Sequence, residues 1–349
     1  MKRFEPDFRN IVDAAKNIKP KRMPIYEHTI SDKAKEIILN KKFGELYDGD
    51  LADKREYFRC YVDFFKKVGY DTVSFERCIG PVMPGSGALG KHKDGAIKNR
   101  SDFEKYPWDS IVDLFFQKYS DDFKLLSEVM PEGMKAIGGP GNGVFECTQD
   151  IVGYMGLCYI SSDDTALYKD LFNKIGDIMF DIWKTFLEKY GDAYAVCRFG
   201  DDLGFRSATL ISAQDIRKHI VPQYKRIISL IHSYNKPFLL HSCGNTFEIM
   251  DDLIDIANID AKHSNEDSIA PFSVWVEKYG DRIGNFGGID VDVLCNKKES
   301  ELKEYVNDII QNSINHGGFA LGSGNSIPDY VPVDKYMTMI ETARECRDE

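Results

Sequence analysis

"LYKDLFNKIGDIMFDIWKTFLEKYGDAYAVCRFGDD", residues 167–202, contains the repeating unit that decides the fold. Its first part has apolar residues at intervals of three and four, which predicts an amphipathic helix. Its second part, 193–202, is a short apolar run ending in two aspartates, which predicts a buried strand and a turn. A helix leading into a buried strand is the unit of a parallel sheet. The predicted helix face consists of Leu167, Leu171, Ile175, Ile178, Ile182 and Phe186.

The same unit recurs along the chain. Eight short apolar segments predict strands, and segments with helical periodicity lie between them. Eight such units in 349 residues favour a single-domain (β/α)8 TIM barrel, residues 1–349, with a short helical N-terminal extension. A doubly wound sheet is the competing fold, but it would usually show a glycine-rich turn after its first strand. The predicted strands are 22–28, 71–79, 134–139, 193–202, 237–243, 258–264, 282–290 and 318–324.

Two further segments show helical periodicity. In the first, Ser212 and Asp215 have the spacing of a capping box, and Pro222 is expected to bend the helix that follows. In the second, Gly317 and Gly318 end the pattern. The apolar positions are Ile216, Ile220, Ile227 and Ile231 in the first segment, and Leu302, Val306, Ile309 and Ile310 in the second.

Composition excludes some classes of function. The chain carries 45 Lys and Arg against 56 Asp and Glu, a net charge of -11, which disfavours nucleic acid or an anionic membrane as partner. It shows neither an apolar leader nor the roughly 18 apolar residues of a spanning helix. Its eight cysteines are scattered without a paired framework. These features predict a cytoplasmic protein with reduced thiols.

One long irregular segment interrupts the pattern. Residues 80–107 follow the second predicted strand, so in a barrel they would lie over the active-site face. We expect them to form a lid or a pocket wall.

Polar residues collect where the predicted strands end, which is where barrel enzymes place their active sites. Several have alternative interpretations. Asp201 is typical of a helix cap, while Asp202 is the candidate for function. Successive strand residues alternate between faces, so Arg77 or Glu76 would pair with a neighbouring helix. His263 is either a structural or a functional histidine. The candidates are Glu76, Glu146, Arg198, Asp202, His241, Cys243, His263 and Asn325.

His241 and Cys243 lie two apart in a predicted strand, so their side chains point to the same side. Imidazole and thiolate are both preferred zinc ligands, but a catalytic zinc takes three protein ligands and keeps one open position. The pair alone therefore leaves metal binding and simple packing both open.

Several motifs in a fixed order resemble the uroporphyrinogen decarboxylase superfamily, within it the corrinoid-dependent methyltransferase branch. They are "GDDLGFRSATLISAQDIRKHIVPQYKRIISLIH", "PFLLHSCGN", "IDAKHSNEDSIAPFSVWVEKYGDRIGNFGGIDVDVL" and "FALGSGNSIPDYVPVDKYMTMIETAR". The resemblance runs over nearly the whole chain and implies a (β/α)8 barrel. The decarboxylases carry "RQAGRY"-, "FSDI"- and "GHG"-type motifs, where this chain has "MPIYEH", "VSFERC" and "GSGNS".

The resemblance also implies a metal site. The branch's His-x-Cys motif corresponds to His241 and Cys243, and its third zinc ligand, a cysteine in a "GCGIP"-type turn, corresponds to Ser323. A serine hydroxyl is a poor zinc ligand, so Glu146 is the expected replacement. The predicted metal ligands are thus His241, Cys243 and Glu146.

The function implied is exchange of a methyl group between a small molecule and a separate corrinoid protein, assisted by zinc. The small molecule is a thiol acceptor or a methoxy or methylamine donor. Asp202, Glu146 and His241 are the predicted catalytic residues, and Glu76, Arg198, His263 and Asn325 the predicted substrate contacts. The alternatives are a decarboxylase acting on a tetrapyrrole and a non-catalytic barrel that binds a small ligand.

Overall fold

The computed structural model of the chain describes residues 4–91 and 94–347. Its strands alternate with helices, as the sequence predicts. The strands are β1 Thr72–Cys78, β2 Lys135–Gly141, β3 Tyr194–Gly200, β4 Phe238–His241, β5 Ala261–His263, β6 Gly284–Ile289 and β7 Phe319–Ser323. The helices are α1 Arg9–Ala15, α2 Asp32–Leu39, α3 Leu51–Val68, α4 Ala88–Lys91, α5 Arg100–Lys105, α6 Ile111–Val129, α7 Val144–Val152, α8 Tyr154–Asp163, α9 Thr165–Tyr190, α10 Ala213–Asp215, α11 Val221–Ser233, α12 Met250–Asp255, α13 Phe272–Tyr279, α14 Val291–Asn296, α15 Glu299–Ser313 and α16 Val333–Glu345.

The seven strands form one parallel sheet in sequence order, β1 to β7. Neighbouring strands pair in register, for example Gly200 with His241 and His241 with His263. The sheet therefore brings the carboxyl ends of β3, β4 and β5 side by side. This confirms the predicted parallel architecture of strands and helices, with the sheet curled into an incomplete barrel.

The prediction that residues 22–28 form the first strand is wrong. In the described chain this segment forms one isolated parallel bridge, between Ile25 and Leu321 of β7, with Tyr26 N–H donating to the Leu321 carbonyl over 2.8 Å. Pro24 lacks a backbone N–H, so it cannot take a full part in a ladder. On the side facing β1, the contact is a side-chain hydrogen bond instead of a backbone ladder: the Ser74 hydroxyl donates to the Glu27 carbonyl. The segment thus lies between β7 and β1 without becoming an eighth strand.

The predicted helices form with small changes at their ends. The long helix of the opening unit is α9, capped by Asp164, whose carboxylate accepts the Leu167 N–H. Ser212 caps the next helix by accepting the Asp215 N–H, but the Asp215 carboxylate accepts the Ser212 hydroxyl rather than its backbone N–H, so half of the predicted capping box forms. Residues Ile216–Ile220 form a wider π turn directly before Pro222, where the ring prevents regular helical bonding. The third predicted helix is α15.

The interior of the sheet is closed at its amino end by α1, the predicted helical extension. Ile11, Ala14 and Ala15 are fully buried there, in one apolar cluster with inward residues of the strands. Burial of an isoleucine side chain contributes roughly 1.5–3 kcal/mol, so this contact helps to stabilise the fold. The strand residues of the cluster are Ile137, Ala195, Val196, Leu239, Ala261, Phe286 and Ala320.

The segment 80–107 packs along α7, although two of its residues, 92 and 93, lie outside the described residues. Gly87 N–H and Leu89 N–H both donate to the Asp150 carboxylate, over 2.9 and 3.0 Å. Ile97 N–H donates to the Ile151 carbonyl over 3.0 Å. The segment therefore borders the helix whose first turn carries Glu146, and its role as a lid or wall stays a prediction.

Candidate functional site

The carboxyl ends of the strands bring the predicted polar residues together. Strand alternation divides the residues of β1: Ser74 and Glu76 contact Arg198 of β3, whereas Arg77 points the other way. The Arg77 guanidinium donates to the Asp122 carboxylate of α6 over 2.6 Å. Glu76 is thus the residue of the pair that belongs to the site, and Arg77 belongs to the contact between sheet and helix.

Arg198 is fully buried and its charge is compensated. Its guanidinium donates two hydrogen bonds to the Glu76 carboxylate, over 2.9 and 3.1 Å, and a third to the Tyr26 hydroxyl over 2.9 Å. Its ion-pair partner is thus Glu76. Nearby Tyr26 and Glu76 hold the pKa of Arg198 above its usual value despite burial, so the group stays charged. A buried guanidinium needs such partners because an unpaired charge would be strongly destabilising.

Three histidine side chains meet at the centre of the site. His241 Nδ1 lies 2.8 Å from His263 Nδ1, and His28 stacks on the His241 ring with centroids 3.8 Å apart. Burial lowers the pKa of His263 to about 3, and burial also lowers the pKa of His28 and of His241. All three rings are therefore neutral near pH 7. His263 lies behind His241, so the structure places it as a support for that ring.

Cys243 faces the other edge of His241. Its sulfur lies 3.4 Å from His241 Nε2 and accepts a hydrogen bond from the Asn325 amide, also over 3.4 Å. Burial, followed by the negative charge of Asp202, raises the pKa of the Cys243 thiol. The thiol therefore keeps its proton unless a cation is bound beside it.

The neighbours Asp201 and Asp202 have different positions. Asp201 is fully buried, and its carboxylate accepts the Phe145 and Glu146 N–H groups at the start of α7, over 2.9 and 2.7 Å. It is a cap, as predicted, but of N–H groups 55 and 56 positions earlier in the chain rather than of the turn that follows it. Asp202 accepts the Cys243 N–H over 2.9 Å, and its carboxylate lies 3.9 Å from His241 Nε2. With a side chain 42% exposed, Asp202 is open to a substrate.

Glu146 lies beside this group, in the first turn of α7. The Asn142 amide donates to its carboxylate over 2.9 Å. Burial, then the negative charges of Asp201 and Asp202, raise the pKa of Glu146 well above its ordinary value. A carboxyl with a raised pKa holds its proton more firmly than an ordinary glutamate, which suits Glu146 to proton transfer.

One arrangement of potential metal ligands includes the predicted pair. The carboxylate of Asp202, the imidazole of His241 and the thiol of Cys243 have ligand atoms within 4.8 Å of one another. We call these three residues the His–Cys–Asp group. Glu146 instead binds Asn142, and the Ser323 hydroxyl donates to the Glu27 carboxylate over 2.5 Å. Glu146 as third ligand stays a prediction, but the geometry favours Asp202.

Glu27 and His28 acquire roles that the sequence did not assign. Glu27 is fully buried, and its carboxylate accepts both the N–H and the hydroxyl of Ser323. Burial raises the pKa of Glu27 to about 8. The available signal was their place at the end of "MPIYEH", where a polar pair follows an apolar run. The sequence could not show which groups they meet.

A cavity of about 240 Å³ borders His28, one of the three histidines. It is lined by His28, Ser74, Glu76 and Arg198, along with residues of α2 and α3. A second cavity, of about 680 Å³, lies between the 88–100 stretch and residues 152–167. Neither cavity is lined by the His–Cys–Asp group, but the smaller one reaches its neighbourhood through His28, whose ring stacks on His241.

Within the described residues, no helix combines the length and the hydropathy needed to cross a membrane.

A parallel α/β sheet with buried, paired ionisable groups at its carboxyl end is characteristic of the barrel class of enzymes. The uroporphyrinogen decarboxylase (URO-D) family model matches residues 10–346. The chain therefore belongs to the uroporphyrinogen decarboxylase family.

Solved structures show the same fold. A methyltransferase from Methanosarcina mazei superposes with a TM-score of 0.72 at 15% identity, covering 98% of this chain and 99% of that one. A protein from Listeria monocytogenes assigned as a vitamin-B12-independent methionine synthase gives a TM-score of 0.52 at 12% identity, covering 93% of this chain and 99% of that one. A search of curated proteins found no match.

Proposed function

We propose that this protein is a methyltransferase that exchanges a methyl group between a small molecule and a separate corrinoid protein, with zinc held by the His–Cys–Asp group. The observation that carries the proposal is the third ligand. The sequence motif has a serine, Ser323, in place of a third metal ligand. The carboxylate of Asp202, which lies close to His241 and Cys243, supplies that ligand in our proposal. The fold shared with a methyltransferase supports the same reaction class.

The donor atoms fit zinc. One imidazole nitrogen, one thiolate and one carboxylate are all common zinc ligands, and three protein ligands leave a fourth position for substrate. The high pKa of the free Cys243 thiol is compatible with this, because a coordinating thiol loses its proton to the metal's charge. The Asp202 side chain is 42% exposed, so substrate has access from its side.

Zinc bound to a substrate thiol would lower the thiol pKa and supply the thiolate nucleophile. This favours a thiol acceptor over a methoxy or methylamine donor. The thiolate sulfur forms a bond to the methyl carbon carried by the corrinoid, and the electron pair of the broken carbon–cobalt bond stays with the corrinoid. The ionised carboxylate of Glu146, beside Asp202, accepts the thiol proton and releases it to solvent, and its raised pKa makes it a stronger base.

The other predicted residues hold the substrate and the ligands. Asn325 donates to the Cys243 sulfur and so favours its thiolate form. Arg198 and Glu76 present a charge-balanced wall to the cavity of about 240 Å³. This cavity is smaller than the roughly 300–1,000 Å³ of drug-sized ligand sites, which suits a small substrate.

The decarboxylase alternative has less support from the site. Binding the carboxylates of a tetrapyrrole requires cations that are available to them. Three cations line the cavity, and each already has a carboxylate partner: Lys35 with Asp32 at 2.8 Å, Arg77 with Asp122 at 2.6 Å and Arg198 with Glu76 at 2.9 Å.

The test combines metal analysis with a methyl-transfer assay. The dialysed protein is analysed for zinc and then incubated with methylcobalamin and a panel of thiols, while the absorbance of the methyl–cobalt bond is followed. Cob(I)alamin with methoxy and methylamine compounds tests the opposite direction. We expect bound zinc and thiol-dependent demethylation, both lost in Cys243→Ser and both kept in the control Cys158→Ser, an exposed thiol.

Two outcomes would contradict the proposal. Release of carbon dioxide from a porphyrinogen, without any methyl transfer, would establish the decarboxylase. Binding of a small ligand without turnover of any methyl donor or acceptor would establish the non-catalytic barrel. A cytoplasmic location, also proposed, is tested by cell fractionation.

A further inference from the structure

The hydrogen bonds behind His241 determine which ring nitrogen carries its proton. His263 Nε2 lies 2.9 Å from the backbone carbonyl oxygen of Ser323. A carbonyl oxygen only accepts hydrogen bonds, so His263 Nε2 must be the donor. His263 is fully buried, which keeps its ring neutral, with a lone pair on Nδ1.

The same reasoning extends to His241. Its Nδ1 lies 2.8 Å from His263 Nδ1. Since His263 Nδ1 is an acceptor, His241 Nδ1 must carry the hydrogen, and His241 Nε2 is left with its lone pair. That nitrogen lies 3.4 Å from the Cys243 sulfur and 3.9 Å from the Asp202 carboxylate. The lone pair therefore belongs to the nitrogen of the His–Cys–Asp group.

Ser323, whose carbonyl accepts the hydrogen bond from His263, is itself held in place. The N–H and the hydroxyl of Ser323 both donate to the buried Glu27 carboxyl group, over 2.8 and 2.5 Å. Ser323 also pairs with Ile289 of β6, which fixes its backbone. The Ser323 carbonyl is thus held in a defined position for His263. We call Glu27, Ser323, His263 and His241 the orienting chain.

His28 does not compete for the same nitrogen. Its ring stacks on His241 with an angle of 14° between the planes, so it presents its face rather than an in-plane nitrogen. The His263 ring is in turn packed edge-to-face against Tyr26, with centroids 5.0 Å apart.

We propose that His263, held by the Ser323 carbonyl, is a positioning residue that fixes His241 as the Nδ1–H tautomer and presents His241 Nε2 for metal binding. The metal half of this inference rests on the proposed function; the tautomer half does not. It also gives the serine at 323 a role: its backbone carbonyl orients His263, and its hydroxyl binds Glu27.

The tautomer is measured directly in the metal-free protein. Nitrogen-15 NMR distinguishes a protonated ring nitrogen from one with a free lone pair. At pH 7 we expect a protonated Nδ1 and a free Nε2 in His241, and the reverse in His263. A protonated Nε2 in His241 would overturn the proposal whatever reaction the enzyme catalyses.

Variants at 263 test the metal half. His263→Phe keeps a ring of similar size and removes both nitrogens, whereas His263→Asn retains an acceptor near the position of Nδ1. Loss of an outer-shell partner of a metal-bound histidine weakens metal affinity about 10- to 100-fold. We expect that loss for His263→Phe in zinc competition with a chelator, and a smaller loss for His263→Asn.

Tyr26→Phe is the matched control, since it removes a buried hydrogen bond to Arg198 but leaves the ring against His263. We expect unchanged zinc affinity and unchanged His241 tautomer in this variant. Equal zinc affinity in His263→Phe and the wild type would overturn the metal half. If His263→Phe does not fold, the NMR measurement on the wild type and the His263→Asn comparison still decide the matter. Zinc with the expected tautomer but no methyl transfer would reject the proposed function alone.

Discussion

The two ends of the sheet differ in what the same strands bury. At the amino end, α1 covers the interior with Ile11, Ala14 and Ala15, which meet aliphatic and aromatic side chains. At the carboxyl end the strands bury a guanidinium and two imidazoles, those of Arg198, His241 and His263. Apolar burial stabilises a fold, whereas buried polar groups cost free energy unless each is paired. The amino end therefore serves stability, and the carboxyl end holds the buried, paired polar groups of the candidate site.

The largest effect is expected at the carboxyl end. His241→Ala removes one of the three proposed zinc ligands, and loss of metal catalysis worth several kcal/mol corresponds to an expected decrease in methyl transfer of about 10³-fold. Zinc content after dialysis and the cobalamin assay measure it. The control is His232→Ala, a histidine paired with Asp260 away from the site. Stoichiometric zinc that survives His241→Ala would place the metal elsewhere.

Breaking the buried ion pair is expected to destabilise the same end. Arg198→Met leaves the Glu76 carboxylate largely buried without its partner, which should lower the free energy of unfolding by about 3 kcal/mol. Urea denaturation measures it. Adding Glu76→Met should restore much of the loss, because no uncompensated charge remains.

An exposed pair provides the reference for this variant. Lys42 pairs with Glu36, and the Lys42 side chain is 87% exposed, so Lys42→Met should change stability much less than Arg198→Met. Equal losses in Arg198→Met and Lys42→Met would show that the Arg198 pair is not an unusually sensitive part of the fold.

At the amino end we expect an effect on stability alone. Ile11→Ala removes a fully buried side chain and should lower the free energy of unfolding by about 2–5 kcal/mol. We expect a loss in the lower half of that range, because Ile11 lies on a single short helix at the end of the sheet. Ile18→Ala, at a 54% exposed position, is the control. Zinc content and activity should not change in either variant, and a loss of zinc in Ile11→Ala would contradict the separation of the two ends.

The smallest effect concerns pH. The pKa of Glu27 is about 8 in the fold and ordinarily 4.5, so between these values the folded state holds a proton that the unfolded state has lost. Stability therefore falls as pH rises through this window, by about 2 kcal/mol between pH 6.5 and 8. Glu27→Gln should remove that part of the dependence. Parallel curves of stability against pH for the two proteins would show that Glu27 does not titrate in the fold.

Much of the fold could be predicted from the sequence. Helical and strand periodicities identified the seven strands and the principal helices, because each pattern reflects which side of one element is buried. The error was 22–28, where an apolar run around Pro24 resembles a strand but has only one ladder bridge. Periodicity reports burial, and it does not report whether backbone hydrogen bonds are available.

Less of the site could be predicted. The turn after the strand predicted that Asp201 caps backbone N–H groups. The N–H groups that it caps lie 55 and 56 positions earlier in the chain, which only the structure shows. The family's motif pointed to His241 and Cys243, but Ser323 in the expected ligand position led to Glu146 as the replacement. The structure brings Asp202 to the pair through the hydrogen bond from the Cys243 N–H, a contact across two loops.

By itself the sequence determined the alternation of strands and helices, the polar strand ends and the His241–Cys243 pair, because these depend on neighbours along the chain. Only the tertiary structure decided that Glu76 neutralises Arg198, that His263 supports His241 and that Glu27 holds Ser323. Those contacts join residues 22 to 296 positions apart. These contacts form only when strand register and loop path place the two atoms within hydrogen-bonding distance. No local pattern of residues encodes that placement.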